Sequence, residues 1–342
     1  MKKSKKVWII AAACCMVIGS VTVVSAIVVS GFDPSRAATG GNTSAQTWTN
    51  GWDLSDFSTV SYEAKTYPVA ETFSSLEINT DWQDVCFLPA EDGKCRVECA
   101  ENEDLTYTVK VEGDTLQVLQ NDSSQWYDKI GFFFPENTQV TIYLPETEYE
   151  RLSVTTSSGN IVIPSSLTFS SAVVKTASGE VGIKAEIKES LDAEASSGDV
   201  TVEGFTGKTL SIVATSGNII ASDVDAKDKV SLQAASGNMG LSSCRAKEVS
   251  LSCTSGDASL TDACAQEKLE VQATSGNVVL SACDAEEIRI QTTSGDVGGS
   301  LLTEKRFSVQ TSSGNVMVPD SLDAQQICQI ITTSGNVSFT KD

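Results

Sequence analysis

The sequence predicts an all-β fold whose larger part is a parallel β-solenoid, and three observations carry that expectation. A Ser-Gly turn followed by Asn, Asp or once Glu recurs ten times, with its glycines at Gly159, Gly179, Gly198, Gly217, Gly237, Gly256, Gly276, Gly295, Gly314 and Gly335. Successive glycines lie 19 to 21 residues apart, and a fixed period of this length over more than half of a chain is the signature of a repeat architecture. Apolar residues also alternate with polar ones on both sides of each turn. Five positions before the glycine the column runs from Val154 and Val174 to Val309 and Ile330, and two positions after it runs from Ile161 and Val181 to Val316 and Val337. Alternation with period two on either side of a turn means two short strands, each with one buried face.

One such unit cannot stand alone. About six inward side chains at about 1.5–3 kcal/mol each give on the order of 10 kcal/mol. Ordering some twenty residues costs roughly 1–2 kcal/mol per backbone. Stacking supplies the difference, since each strand then pairs in parallel with its counterparts and the inward columns pack on themselves. Residues 151–342 therefore read as about ten coils, roughly 45–50 Å long at the strand spacing of a sheet. The general preference for right-handed parallel connections favours a right-handed coil. In the turn, glycine can reach φ > 0 without a Cβ penalty, and stacked Asn and Asp side chains can form a ladder.

The remaining segments follow in chain order. Four lysines, Lys2, Lys3, Lys5 and Lys6, precede a charge-free run from Val7 to Phe32. As a helix these 26 residues would reach about 39 Å, enough to cross a hydrocarbon core of roughly 30 Å. The lysines keep residues 1–6 in the cytoplasm and put the bulk of the chain outside a cell membrane crossed once. Cleavage after Val24-Ser25-Ala26 is the rival reading. Residues 33–55, rich in Gly, Ser, Thr and Asn, form a linker. Residues 56–150 keep strand signals but lose the period, and are expected to form an irregular β domain that closes the first coil. The chain reaches Asp342 three residues after Phe339 without a segment resembling a cap. An uncapped C-terminal coil is an edge hazard, which predicts an oligomer or another partner at that end.

Chemistry-bearing residues are few. The formal charge is −21 and there is no histidine, a composition that disfavours nucleic acid as a partner. No catalytic constellation, metal-ligand spacing or cofactor motif is present, so the chain reads as a non-enzyme without cofactor or metal. Four residues before the glycine, the outward column contains Gln233, Gln272, Gln291 and Gln310. With the neighbouring Ser and Thr they form a flat polar face, the candidate contact surface. In the linking segments Cys244, Cys264 and Cys283 align with large apolar residues of other coils. Small buried hydrophobes are one reading of these cysteines, and a disulfide between neighbouring coils is another. Outside the cell, a bond among Cys86, Cys95 and Cys99 is also open.

The run Val140-Thr-Ile-Tyr-Leu-Pro-Glu, then Leu152-Ser-Val-Thr-Thr-Ser-Ser-Gly-Asn-Ile and the repeated turns, resembles the bacterial putative-adhesin family of envelope β-solenoids from about residue 70 onward. The resemblance implies a solenoid fold and a place in the cell envelope, and it brings no active residue with it. Together with the polar face, it leads to a membrane-anchored, adhesin-like binding module for cell-wall glycan or a surface protein. An envelope-stress sensory ectodomain working through a membrane partner is the alternative, and a polysaccharide-active enzyme stands third.

Overall fold

The computed structural model describes residues 62–123, 139–321 and 323–341, all within one compact unit spanning Thr59–Asp342. The Val7 to Phe32 run and the linker lie outside the described residues, as do Trp126, Tyr127 and Phe132 to Phe134. Among the described residues no helix is long and apolar enough to cross a membrane.

The described chain is all-β. Its first strands are β1 (Glu63–Pro68), β2 (Ser75–Asn79), β3 (Asp84–Pro89), β4 (Arg96–Glu101), β5 (Leu105–Glu112), β6 (Thr115–Asp122) and β7 (Gln139–Leu144). The repeats supply β8 (Glu148–Thr156), β9 (Ile161–Ile163), β10 (Thr168–Thr176), β11 (Val181–Ile183), β12 (Glu186–Ala195), β13 (Val200–Glu203), β14 (Thr209–Ala214), β15 (Ile219–Asp225) and β16 (Lys229–Ser236). They continue as β17 (Met239–Ser255), β18 (Ala258–Ser275), β19 (Val278–Cys283), β20 (Glu287–Ser294) and β21 (Val297–Leu301). The last four are β22 (Arg306–Ser313), β23 (Val316–Met317), β24 (Ile327–Ser334) and β25 (Val337–Lys341).

Strands before and after each Ser-Gly turn stack in parallel on their counterparts, as the period requires. One inward column shows the register: Leu152, Ala172, Leu191, Leu210, Val230, Val249, Leu269 and Ile288 pair in succession. All of these are 0–1% exposed, so the solenoid has a continuous apolar interior rather than ten separate cores.

The turn glycines are required by sterics more than by φ. A Cβ added at Gly179 would lie 1.9 Å from the carbonyl oxygen of Gly159, and one at Gly217 would lie 1.9 Å from that of Gly198. Backbone on backbone leaves no room for a methyl group. Beside the glycines runs the ladder: Asn218 N donates to Asp199 Oδ1 (2.7 Å), Asn238 N to Asn218 Oδ1 (3.0 Å) and Asp257 N to Asn238 Oδ1 (2.9 Å). Each side-chain oxygen thus satisfies a backbone donor of the next coil, which the sheet itself leaves unpaired.

At both ends the order in space departs from the order in sequence. β24 pairs with β20 on one side and β22 on the other, and β25 lies likewise between β21 and β23. The glycines and the ladder agree: Asn336 N donates to Asp296 Oδ1, and Asn315 N donates in turn to Asn336 Oδ1. The exposed end coil is therefore β22–β23, which corrects the expectation that the C-terminal coil is the uncapped one. The chain runs out to the last level and doubles back to insert its final strands beneath it.

The N-terminal end does the same in reverse. β2 lies between β6 and β8, and β3 between β7 and β9, all in parallel, so residues 75–144 contribute two further levels of the stack. Over the free edges of the outermost level, β5 pairs antiparallel with β6 and β4 with β7, and β1 then pairs with β4.

Candidate functional site

The parallel register brings the four glutamines into one outward column. Lys175 pairs with Glu194, and the column continues through Val213, Gln233, Ser252, Gln272, Gln291 and Ile331 to Gln310. All four glutamines are exposed. The inserted coil is the one surprise, since it places Ile331, 37% exposed, between Gln291 and Gln310. Lys175 and Glu194 form an ion pair at 2.8 Å, so the charges at the near end of the column are spent on each other. The next outward column holds Ser211, Ser231, Ser250, Glu270 and Arg289 in register. Lys268 donates to Glu270 (2.6 Å), which holds the Glu270 carboxylate below its ordinary range, and Gln272 Nε2 adds a second donor at 3.2 Å. The column from Gln233 to Gln310 is thus an array of amides, one hydroxyl and one isoleucine repeating at about 4.8 Å, bordered by the paired charges of Glu270 and Arg289.

The cysteine column needs a correction of register. Left-handed residues Asp223, Ser243, Asp262 and Ala282, with φ of 50–52°, turn the chain at the end of each short strand. The residue that follows points inward: Val224, Cys244, Ala263 and Cys283 are each 0–1% exposed. Cys264 stands one position further on, half-buried, paired in register with Arg245 and bridged to Asp284. Cys244 and Cys283 thus share the inward column with Ala263 between them, two coil spacings apart. All described cysteines are free thiols, including Cys86, Cys95 and Cys99. Burial pushes the Cys244, Cys95 and Cys99 thiols up to about 12 and Cys283 to about 11, so they sit as neutral hydrophobes and not as nucleophiles.

The Asp side chains of the turns are also engaged. Asp199 Oδ1 accepts from the backbone N–H and the side-chain Nδ2 of Asn218, and Asp257 does the same for Asn277.

Two buried ionic clusters escape sequence reasoning. Glu101, 7% exposed, accepts from Lys65 Nζ (2.8 Å), Tyr107 N (2.9 Å) and the Tyr67 hydroxyl. Burial pushes its pKa up, but these donors outweigh it and leave the carboxyl below its ordinary range. Lys305, 1% exposed, donates to Asp284 Oδ1, Gln326 Oε1 and Thr303 Oγ1, the last at 2.7 Å. Its three partners come from the coil below the inserted one, from the start of the inserted coil and from its own loop. Lys305 therefore pins the doubled-back end. For Glu101 the signal is a charge at an inward position of an alternating strand, and for Lys305, among exposed neighbours, the sequence offers none.

The Toastrack DUF4097 family profile matches residues 73–224, 183–266 and 262–341, which together cover most of the chain. The chain belongs to the Toastrack DUF4097 family, and the resemblance drawn from the Ser-Gly turns stands. Among solved structures it is similar to a putative adhesin from Bacteroides fragilis, with 13% identity and a TM-score of 0.39 over 82% of this chain and 97% of that one. It is similar to a putative lipid binding protein from Parabacteroides distasonis, with 17% identity and a TM-score of 0.40 over 81% and 96%. A putative adhesin from Parabacteroides merdae gives 13% identity and a TM-score of 0.41 over 82% and 96%. No curated protein matches.

Proposed function

We propose that this chain is a membrane-anchored surface module that binds uncharged glycan strands of the cell wall along its Gln/Ser/Thr face. One observation carries the reading: in a chain of net charge −21, the column from Gln233 to Gln310 exposes amides, a hydroxyl and one isoleucine, and no charge. An acidic envelope repels anionic polymers, so the polymer suited to this face is neutral. A solvated hydrogen bond contributes only about 0.5–1.5 kcal/mol, and a single coil would hold a sugar weakly. Repetition changes the outcome, since a long strand meeting several coils at once gains by effective concentration.

The reading predicts that binding rises steeply with glycan length. The test is saturable binding of the full chain, reconstituted in nanodiscs, to isolated wall glycan and to short oligomers cut from it. Triple substitution Gln233→Ala, Gln272→Ala and Gln291→Ala should lower affinity for long strands while leaving the melting temperature unchanged. Absence of binding to wall glycan at any length would sink the proposal and shift attention to a protein partner in the membrane.

A further inference from the structure

The open end of the solenoid is a built edge with an identifiable complement. Among the described residues β22 pairs on one side alone, with β24, and β23 pairs with β25 alone, so both offer a free row of backbone donors and acceptors. Phe307 packs on Phe339 in a tilted arrangement with centroids 5.6 Å apart, yet Phe307, Val309 and Val318 are only partly covered. Val316, an inward position, is 47% exposed, whereas its counterparts Val297 and Val337 are each 1% exposed, and the outward Met317 is 71% exposed. The Asn/Asp ladder also ends here, with Asn315 N donating to Asn336 Oδ1 and, among the described residues, no further coil beyond.

We infer that this edge pairs with the same edge of a second copy, forming a twofold, end-to-end dimer. Charge argues for it first. From Arg306 to Val318 there is no acidic residue and Arg306 is the only charge, so the edge strands themselves of two acidic molecules can meet without opposing carboxylates, Glu304, Asp320 and Asp323 lying outside them. Topology argues next. The opposite end is closed by β4 and β5, so head-to-tail stacking would have to displace an antiparallel cover, while like ends face each other unobstructed. A contact of like with like closes on itself and does not propagate into a filament. Register supplies the third argument. Antiparallel pairing of β22 with its copy, centred on Val309, sets Val309 against Val309 and Phe307 against Thr311. It sets Arg306 against Ser312. Inward side chains then stay opposite inward ones, and no like charges are paired.

The test is the mass of the full chain in mild detergent, measured by light scattering across a dilution series, for the wild type and for Met317→Lys and Val309→Lys. Met317 is so exposed that its substitution leaves the monomer fold intact, and circular dichroism checks this for both variants. A wild-type dimer whose dissociation constant rises by about tenfold or more in Met317→Lys supports the inference. Cross-linking sharpens it, since Ser308→Cys on one copy should form a disulfide with Gln310→Cys on the other in preference to either variant with itself. A monomer at every concentration overturns the inference, and so does a dimer that both lysine substitutions leave unchanged.

Discussion

The two ends of this solenoid solve the same problem to different extents. At each end the chain visits the outermost level and returns, so the terminal strands of the repeat, β2–β3 and β24–β25, lie one level inside. A strand held on both sides cannot fray from its free end, so the doubling back protects the chain terminus. It does nothing for the edge of the sheet. The N-terminal end covers that edge with β4 and β5, while at the C-terminal end no other described strand covers β22 and β23. Order in the stack and cover on the edge are thus separate devices. Each end also buries one ionic residue, a carboxylate in the cover at Glu101 and an ammonium in the lock at Lys305.

The largest test of this difference uses the turn glycines. A Cβ at Gly159 would stand 1.8 Å from the carbonyl oxygen of Gln83, and one at Gly314 would stand 2.0 Å from that of Gly335. The clashes differ by only 0.2 Å, but the surroundings differ far more. Gly159 presses on a coil held from beyond by another level, whereas the coil of Gly314 can move into solvent. Gly159→Ala should cost about 4 kcal/mol or more and impair folding, and Gly314→Ala about half as much despite its positive φ of 151°. Urea midpoints of the two variants measure the difference, and equal losses would break the comparison.

Next comes the lock. Lys305→Met leaves Asp284 without its ammonium and should cost about 2–3 kcal/mol, below the full figure for a buried pair because the Asp284 side chain is 22% exposed. Limited proteolysis should then cut within residues 303–326 before any other strand connection. Glu101→Gln, at the other end, should cost about 1–2 kcal/mol through weakened donors from Lys65 and Tyr67. Its pH dependence has a definite sign. The folded carboxyl titrates below its unfolded value, so its contribution is fully present above the ordinary carboxylate range and is lost as pH falls through the depressed value. Acid titration of stability should be shallower in Glu101→Gln than in the wild type.

The smallest effects fall on the ladder. Asn238→Ala removes the acceptor of Asp257 N and should cost about 1 kcal/mol. Asn315→Ala should cost almost nothing in the monomer, since no described coil lies beyond it. Equal losses at the two positions, read from thermal melts, would mean that something covers the open end.

Much of this was legible in the sequence because the period carries its own physics. The Ser-Gly spacing defined the coils, and the apolar columns on either side of the glycine are the buried ones in every coil but the end coil of Val309 and Val316. The Cys264 register could have been read too. Val224, Cys244, Ala263 and Cys283 all lie seven residues after their turn glycine, and aligning on the cysteines instead of the glycines shifted one coil by a residue. The reversed order of the last coils was not legible. Every coil has the same inward pattern, so the pattern that creates the stack cannot say which coil lies on which. Nor was the cover, whose strands β4 and β5 pair antiparallel where the repeats lead one to expect parallel stacking.

The measurement that tests the central claim most directly is hydrogen exchange, resolved strand by strand and carried out on Met317→Lys so that pairing between copies cannot mask the edge. The doubled-back order places β24 between two strands and β22 at the edge. Amides of Ile327–Ser334 should therefore be protected as well as those of β20, with faster exchange in Arg306–Ser313. The opposite result, a protected β22 and a rapidly exchanging β24, would mean that the coils stack in sequence order and would contradict the account.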